Sequence, residues 1–156
     1  MARVRTVATF ECAAFNTTER RDYFLNDSCY GDDLAEWLID ELGARNIETD
    51  AAPAQDEFGW HFGFRKDEVD YTFAVTRRSA GAGRPPIWIG RIERKAGRFG
   101  KLLRGSARGV EPEAVLAIYS VLNSALLIHN LKWHYRRDFD ANKEDLGAPE
   151  PIALAH

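Results

Sequence analysis

The chain has 156 residues, a net charge of −3, and 45% hydrophobic and 29% charged residues. That length suits one domain able to bury a core without staples, and that composition excludes wholesale disorder and the fibrous classes. No apolar run approaches the roughly 20 residues that a bilayer-spanning helix needs.

The opening stretch MARVRTVATF alternates like a strand and lacks the continuous apolar run and small-residue cleavage site of an export signal, so a cytoplasmic location with no membrane attachment is expected. Cys12 and Cys29 are then free thiols; neither sits in a Cys-x-x-Cys pair. Val4 to Ala14 reads as the first strand, with Phe10, Cys12 and Ala14 on one side, and polar Asn16 to Asp22 breaks it. A helix is expected from Asp33. Asp33 and Glu36 have capping-box spacing, and Leu34, Trp37, Leu38 and Leu42 form its apolar stripe. Gly43 or Asn46 can stop it, since both tolerate a left-handed conformation, and Asn46 is preferred. Ile47 to Asp50 reads as a short strand, and AAPAQDE as a loop.

Phe58 to Arg65 and Val69 to Arg77 are alternating strands joined by a tight turn near Lys66, Asp67 and Glu68. Ile87 to Arg94 follows the glycine- and proline-rich SAGAGRPP as another strand. Pro112 opens a second helix whose buried stripe is Val115, Ile118, Tyr119, Leu122 and Leu126. Leu131, Trp133 and Tyr135 alternate in a last strand, and residues 136–156 read as a polar, loosely ordered tail. The expectation is a single α+β domain over residues 1–135, with a basic loop at 94–109. Its order is β-α-β-β-β-β-α-β: a mostly antiparallel sheet carrying both helices on one face, as a two-layer sandwich. Most of the tryptophans, Trp37, Trp60, Trp88 and Trp133, are expected in one core.

In EFGWHFGF every second residue is a large ring. Alternate strand side chains face opposite ways, so Phe58, Trp60, Phe62 and Phe64 share the core face with Val69, Tyr71, Phe73 and Val75. A turn at Lys66 and Asp67 pairs Trp60 with Phe73; one at Asp67 and Glu68 pairs Phe62 with Phe73. The reverse face carries Gly59, His61, Gly63 and Arg65 beside Asp70, Thr72, Ala74 and Thr76. It reads as a solvated face, a close contact with the chain's own loop or tail, or a ligand or partner site centred on His61.

Chemistry is sparse. His61 and Asp70 share that face at a diagonal that could orient the imidazole as a general base, but no nucleophile is placed to use it. Asp32 and Asp33, with Asp27 nearby, could hold a hard cation, yet acids at a helix start are favoured by its dipole and by capping. His129 and His134 are five apart, on opposite faces of a flat strand, and cannot share a metal. No metal site or cofactor is expected.

Between Arg91 and Arg108 lie seven Lys or Arg and one acid, a local charge of +6 in an otherwise acidic chain. Within it Phe99, Leu102 and Leu103 have the spacing of one helical turn, with Arg98, Lys101 and Arg104 around them, a surface able to grip an acidic partner. Nucleic acid is disfavoured by the overall acidity and the lack of a recognition motif.

The stretches YFLNDSCYGDDLAEWL, DEFGWHFGF and WIGRIER resemble a family of small bacterial α+β proteins with no assigned activity, over roughly Arg20 to Trp133. The resemblance concerns the capped helix and the aromatic strand, and it implies no functional residue. Two expectations of function follow from the residues. One is a non-enzymatic module, an adaptor or immunity-type inhibitor, that binds another protein through Gly59, His61 and Gly63 or through Arg98, Phe99, Lys101, Leu102 and Arg104. The other is a small-ligand binder or hydrolase centred on His61 and Asp70.

Overall fold

A computed structural model describes residues 4–15, 17, 22, 24, 30–56, 59–78, 81–95 and 109–153. The aromatic ribbon builds the centre of the sheet: β4 (Trp60–Lys66) and β5 (Val69–Arg78) pair antiparallel with Phe62 opposite Phe73 and Lys66 opposite Val69. The hairpin turn is therefore Asp67 and Glu68, with φ of 51° and 66°, the two left-handed residues that match the right-handed twist of the strands. Trp60, Phe62, Phe64, Tyr71, Phe73 and Val75 are all buried, as the alternation requires. Phe62 packs tilted against Phe73 with ring centroids 5.6 Å apart, and Phe64 stacks on Tyr71 at 5.4 Å. At about 1.5–3 kcal/mol for each fully buried large side chain, this face dominates local turn preferences.

Around that hairpin the sheet has seven strands, all paired antiparallel. β6 (Ile87–Arg94) lies beside β5, then β1 (Val7–Glu11), then β7 (His129–His134) at one edge. Along the other edge β2 (Glu48–Thr49) and β3 (Ala54–Gln55) both pair with β4. The expected loop AAPAQDE thus contributes a strand. Two residues are too few to show alternation, and their pairing with Trp60 and His61 depends on β4 being in place.

Helices α1 (Asp32–Ala44) and α2 (Pro112–Ser124) bury Leu34, Leu38 and Leu42, and Val115, Ile118 and Leu122, in the same core as the rings. Trp60, Trp88 and Trp133 are buried there, and Trp37 packs at its margin 5.7 Å from Phe15. Asn46 ends α1 as expected: it takes φ 61°, and the amides of Asn46 and Ile47 bond the carbonyls of Gly43 and Leu42 at 3.0 Å each. The start differs. Gly31 occupies the cap with φ 129° and offers no capping side chain; a Cβ there would press within 3.3–3.6 Å of Val75, Trp88 and Trp60.

Leu126 is a second difference. α2 ends at Ser124, before the chain reaches it, so this leucine is 94% exposed and leaves the buried stripe. The third is the C-terminal segment, which is held over residues 136–153. It carries α3 (Arg136–Asp140) and a 3-10 turn at Glu144–Leu146, and it bridges Trp133 with Ala148 and Val4 with Ile152. Its ties are polar contacts to residues far away in the chain, which no local periodicity reveals. Arg98, Phe99, Lys101, Leu102 and Arg104 lie outside the described residues, as do Asp27, Cys29 and Phe58.

Candidate functional site: the second face of the sheet

Helices α1 and α2 cover one face of the sheet, and the opposite face carries His61 and the small residues singled out in the sequence. Its register defines a cross-strand row: Ala54, His61, Ala74, Arg91, Val7 and His134 stand opposite one another in turn. At about 4.8 Å per strand, His61 and His134 are about 19 Å apart on this row.

At the β4 end His61 is half-buried, its Nδ1 3.3 Å from Asp56 Oδ2. The pair is close enough to attract but too poorly aligned for a hydrogen bond, for Nδ1 makes none. Asp70 is elsewhere. It stands opposite Arg65, whose Nη1 is 3.9 Å from Asp70 Oδ1, and four residues of strand, about 13 Å, separate it from the row of His61. A turn at Lys66 and Asp67 would have set Asp70 opposite Gly63, one diagonal from His61; the turn at Asp67 and Glu68 removes that diagonal. The structure therefore does not bring the expected acid–base pair together.

The two glycines serve the chain's own close contacts. Gly63 donates its amide to Asp50 Oδ2 at 2.7 Å and accepts the Asp50 amide at 2.9 Å, with the carboxylate lying over its Cα. A Cβ on Gly59 would collide with the Val75 carbonyl oxygen. Beyond them Thr72, Ala74 and Thr76 remain partly exposed.

At the β7 end the same face is covered. Phe139 of α3 lies 5.4 Å from the His134 ring, and Arg91 reaches over Phe139 from β6. Arg91 pairs with Asp140 at 3.1 Å, Arg136 with Glu93 at 3.6 Å, and Arg78 with Glu144 at 2.8 Å. His134 beneath them is only 2% exposed, with Nε2 2.8 Å from the Thr9 hydroxyl. Burial holds its pKa below the ordinary value; the Glu144 carboxylate pulls the other way, and Lys132, Arg78 and Arg5 add to the depression.

A cleft of about 360 Å³ runs along this seam, lined by Thr9, Glu11, Arg78, Asn130, Lys132 and Glu144 among others. Much of its charge is internally matched: Glu144 holds Arg78, and Asn130 donates to Glu11 at 2.6 Å. The Thr9 and His134 contact has the spacing of a nucleophile and its base, but no group orients the imidazole: Nδ1 is buried without a hydrogen-bond partner among the described residues. A β-bulge between Thr9 and Glu11, with Asn130 at φ 54°, alters one expectation. It brings His129 opposite Glu11 and hence onto the same face as His134. They remain far apart along the strand, and no group of three metal-ligating side chains exists among the described residues.

Sequence reasoning weighed His134 only as a metal partner of His129, because a lone histidine next to a buried tryptophan carries no pattern of its own. The available signal was parity: with Trp133 in the core, His134 must face the other side. Among the described residues no helix is long and apolar enough to cross a membrane. Comparison with protein-family models, curated proteins and solved structures finds no match for the chain.

Proposed function

We propose that the chain is a non-enzymatic, cytoplasmic binding module that recognises another protein through the open end of the second sheet face. One observation carries this reading: a single continuous face is strapped over at β6, β1 and β7, yet leaves His61, Thr72, Ala74 and Thr76 partly exposed on a surface of small side chains. The concavity at this end, between Asp50, Gly63, Arg65 and Asp70, holds only about 150 Å³, so the surface suits a macromolecule more than a small ligand, which needs a larger enclosed site. The basic segment follows Lys95 in the chain, and the Lys95 amide bonds the Asp70 carbonyl at 3.0 Å. Membership of the resembled bacterial family belongs to the same proposal.

The test is capture of a partner from the source cells, followed by cross-link mapping. Cross-links should fall on residues 61–76, Ala74→Arg should weaken binding at least tenfold, and reversing Arg98, Lys101 and Arg104 to Glu should slow association. Binding that survives both changes, or thermal stabilisation by a small metabolite that His61→Ala abolishes, overturns the reading.

A further inference from the structure

Residues 136–153 cross the covered end of the second face and are fastened along their length. Beyond the three ion pairs, the Trp133 and Ala148 backbones exchange hydrogen bonds of 2.6 and 2.8 Å, and the Arg5 amide bonds the Pro151 carbonyl at 2.8 Å. Between these fasteners lies the His134 ring. Gly147 rests directly on it: a Cβ there would come 2.5 Å from Cε1 and 2.7 Å from Nδ1. Yet Gly147 has φ −62° and ψ 152°, a conformation any residue adopts. Glycine is needed at this position for the imidazole, not for the backbone.

A neutral imidazole tolerates this place. One nitrogen meets the Thr9 hydroxyl, and the other can remain unpaired without carrying charge. An imidazolium does not, since both its nitrogens must donate and a charge would be buried beneath Gly147 and the uncharged Phe139 ring. The charged groups about it are divided. Glu144 on the strap favours the proton but is engaged by Arg78; Lys132 on β7, Arg78 on β5 and Arg5 ahead of β1 oppose it, and Asp145 on the strap and Glu11 on β1 line the same cleft.

We propose that residues 136–153 form an acid-released strap latched by His134: a proton on the buried imidazole detaches the strap and uncovers the β6, β1 and β7 end of the second face. A role for the enlarged face in partner binding rests on the function proposed above; the release itself does not. The depressed pKa is the same statement seen from the proton's side. The detached state binds the proton at the ordinary pKa near 6.5 and the latched state only at lower pH, so the latch holds fully above about pH 6.5 and weakens as the pH falls.

Native-state hydrogen exchange on the full chain, with no partner present, tests this. Between pH 7.5 and 5, after correction for intrinsic exchange rates, the Arg5, Trp133 and Ala148 amides should lose protection at least tenfold, in step with the side-chain NMR titration of His134. The β4–β5 ladder should keep its protection, and His134→Phe should abolish the step. A second variant, Gly147→Ala, should free the same amides at pH 7.5, and His134→Ala in that background should restore them. The proposal is overturned if the strap amides stay protected once His134 is charged, if they and β4–β5 open together, if the step survives in His134→Phe, or if Gly147→Ala leaves the strap protected.

Discussion

His61 and His134 occupy one row of one sheet, and their surroundings differ in what lies above them. His61 has a half-exposed side chain beside a loop aspartate; His134 is sealed beneath a segment that returns from the far end of the chain. The sheet supplies both with a similar platform of backbone and small or polar neighbours. Cover alone turns one into a candidate contact residue and the other into a latch.

That comparison assumes one rigid sheet beneath both ends, and its severest test is the shared core. Phe73→Ala removes a fully buried ring packed on Phe62 and should cost about 3–5 kcal/mol in denaturant unfolding, with both ends lost in a single transition. Separate transitions would break the comparison. Next, the same small change can be made at each end. Gly147→Ala runs into the wedged His134 ring and should cost about 1–3 kcal/mol. Gly63→Ala meets only the Asp50 carboxylate, at 3.1 Å, the tip of a side chain that can turn aside, and should cost about 0.5 kcal/mol. Equal costs would show that the two ends are equally constrained.

The pH dependence sharpens the difference further. Because the folded pKa of His134 lies below its unfolded value, wild-type stability should be complete above about pH 6.5 and decline as the pH falls through the depressed value. Thermal melts of His134→Phe over the same range should show a flatter profile. Arg78→Ala breaks an ion pair whose side chains are about 40% exposed, and screening limits the loss to about 0.5 kcal/mol, read as a slight shift in denaturation midpoint. The smallest response is expected from Cys12. Its thiol is buried beneath the sheet and its pKa is raised, chiefly by that burial, so a thiol reagent at neutral pH should leave it unmodified until the chain unfolds.

The core face was legible in the sequence because alternation and helical spacing repeat the same instruction at many residues. Trp60, Phe62 and Phe64 could only face Tyr71, Phe73 and Val75. Asn46 was legible for a local reason, its tolerance of a left-handed backbone at a helix end. Register was not, because a turn one residue earlier keeps every ring inside at the same apolar area. That single residue decides whether His61 meets Asp70. The strap was illegible for the opposite reason: Arg136, Glu144 and Gly147 form no periodic pattern, and each finds its partner only after β1, β5, β6 and β7 have assembled. Leu126 shows the limit of spacing itself, since it falls on the stripe of α2 but lies beyond the end of the helix.

The sheet is also guarded at both borders. On one side β2 and β3 are two-residue fragments separated by a loop containing Pro53, a poor template for an incoming strand. On the other, Ala148 occupies the outward backbone groups of Trp133 on β7. Growth by strand addition is hindered at the first border by irregular geometry and at the second by the chain's own tail. Lifting that tail in acid would therefore free a hydrogen-bonding edge as well as a face, and concentrated protein held at low pH should self-associate through β7, an association that neutralisation reverses.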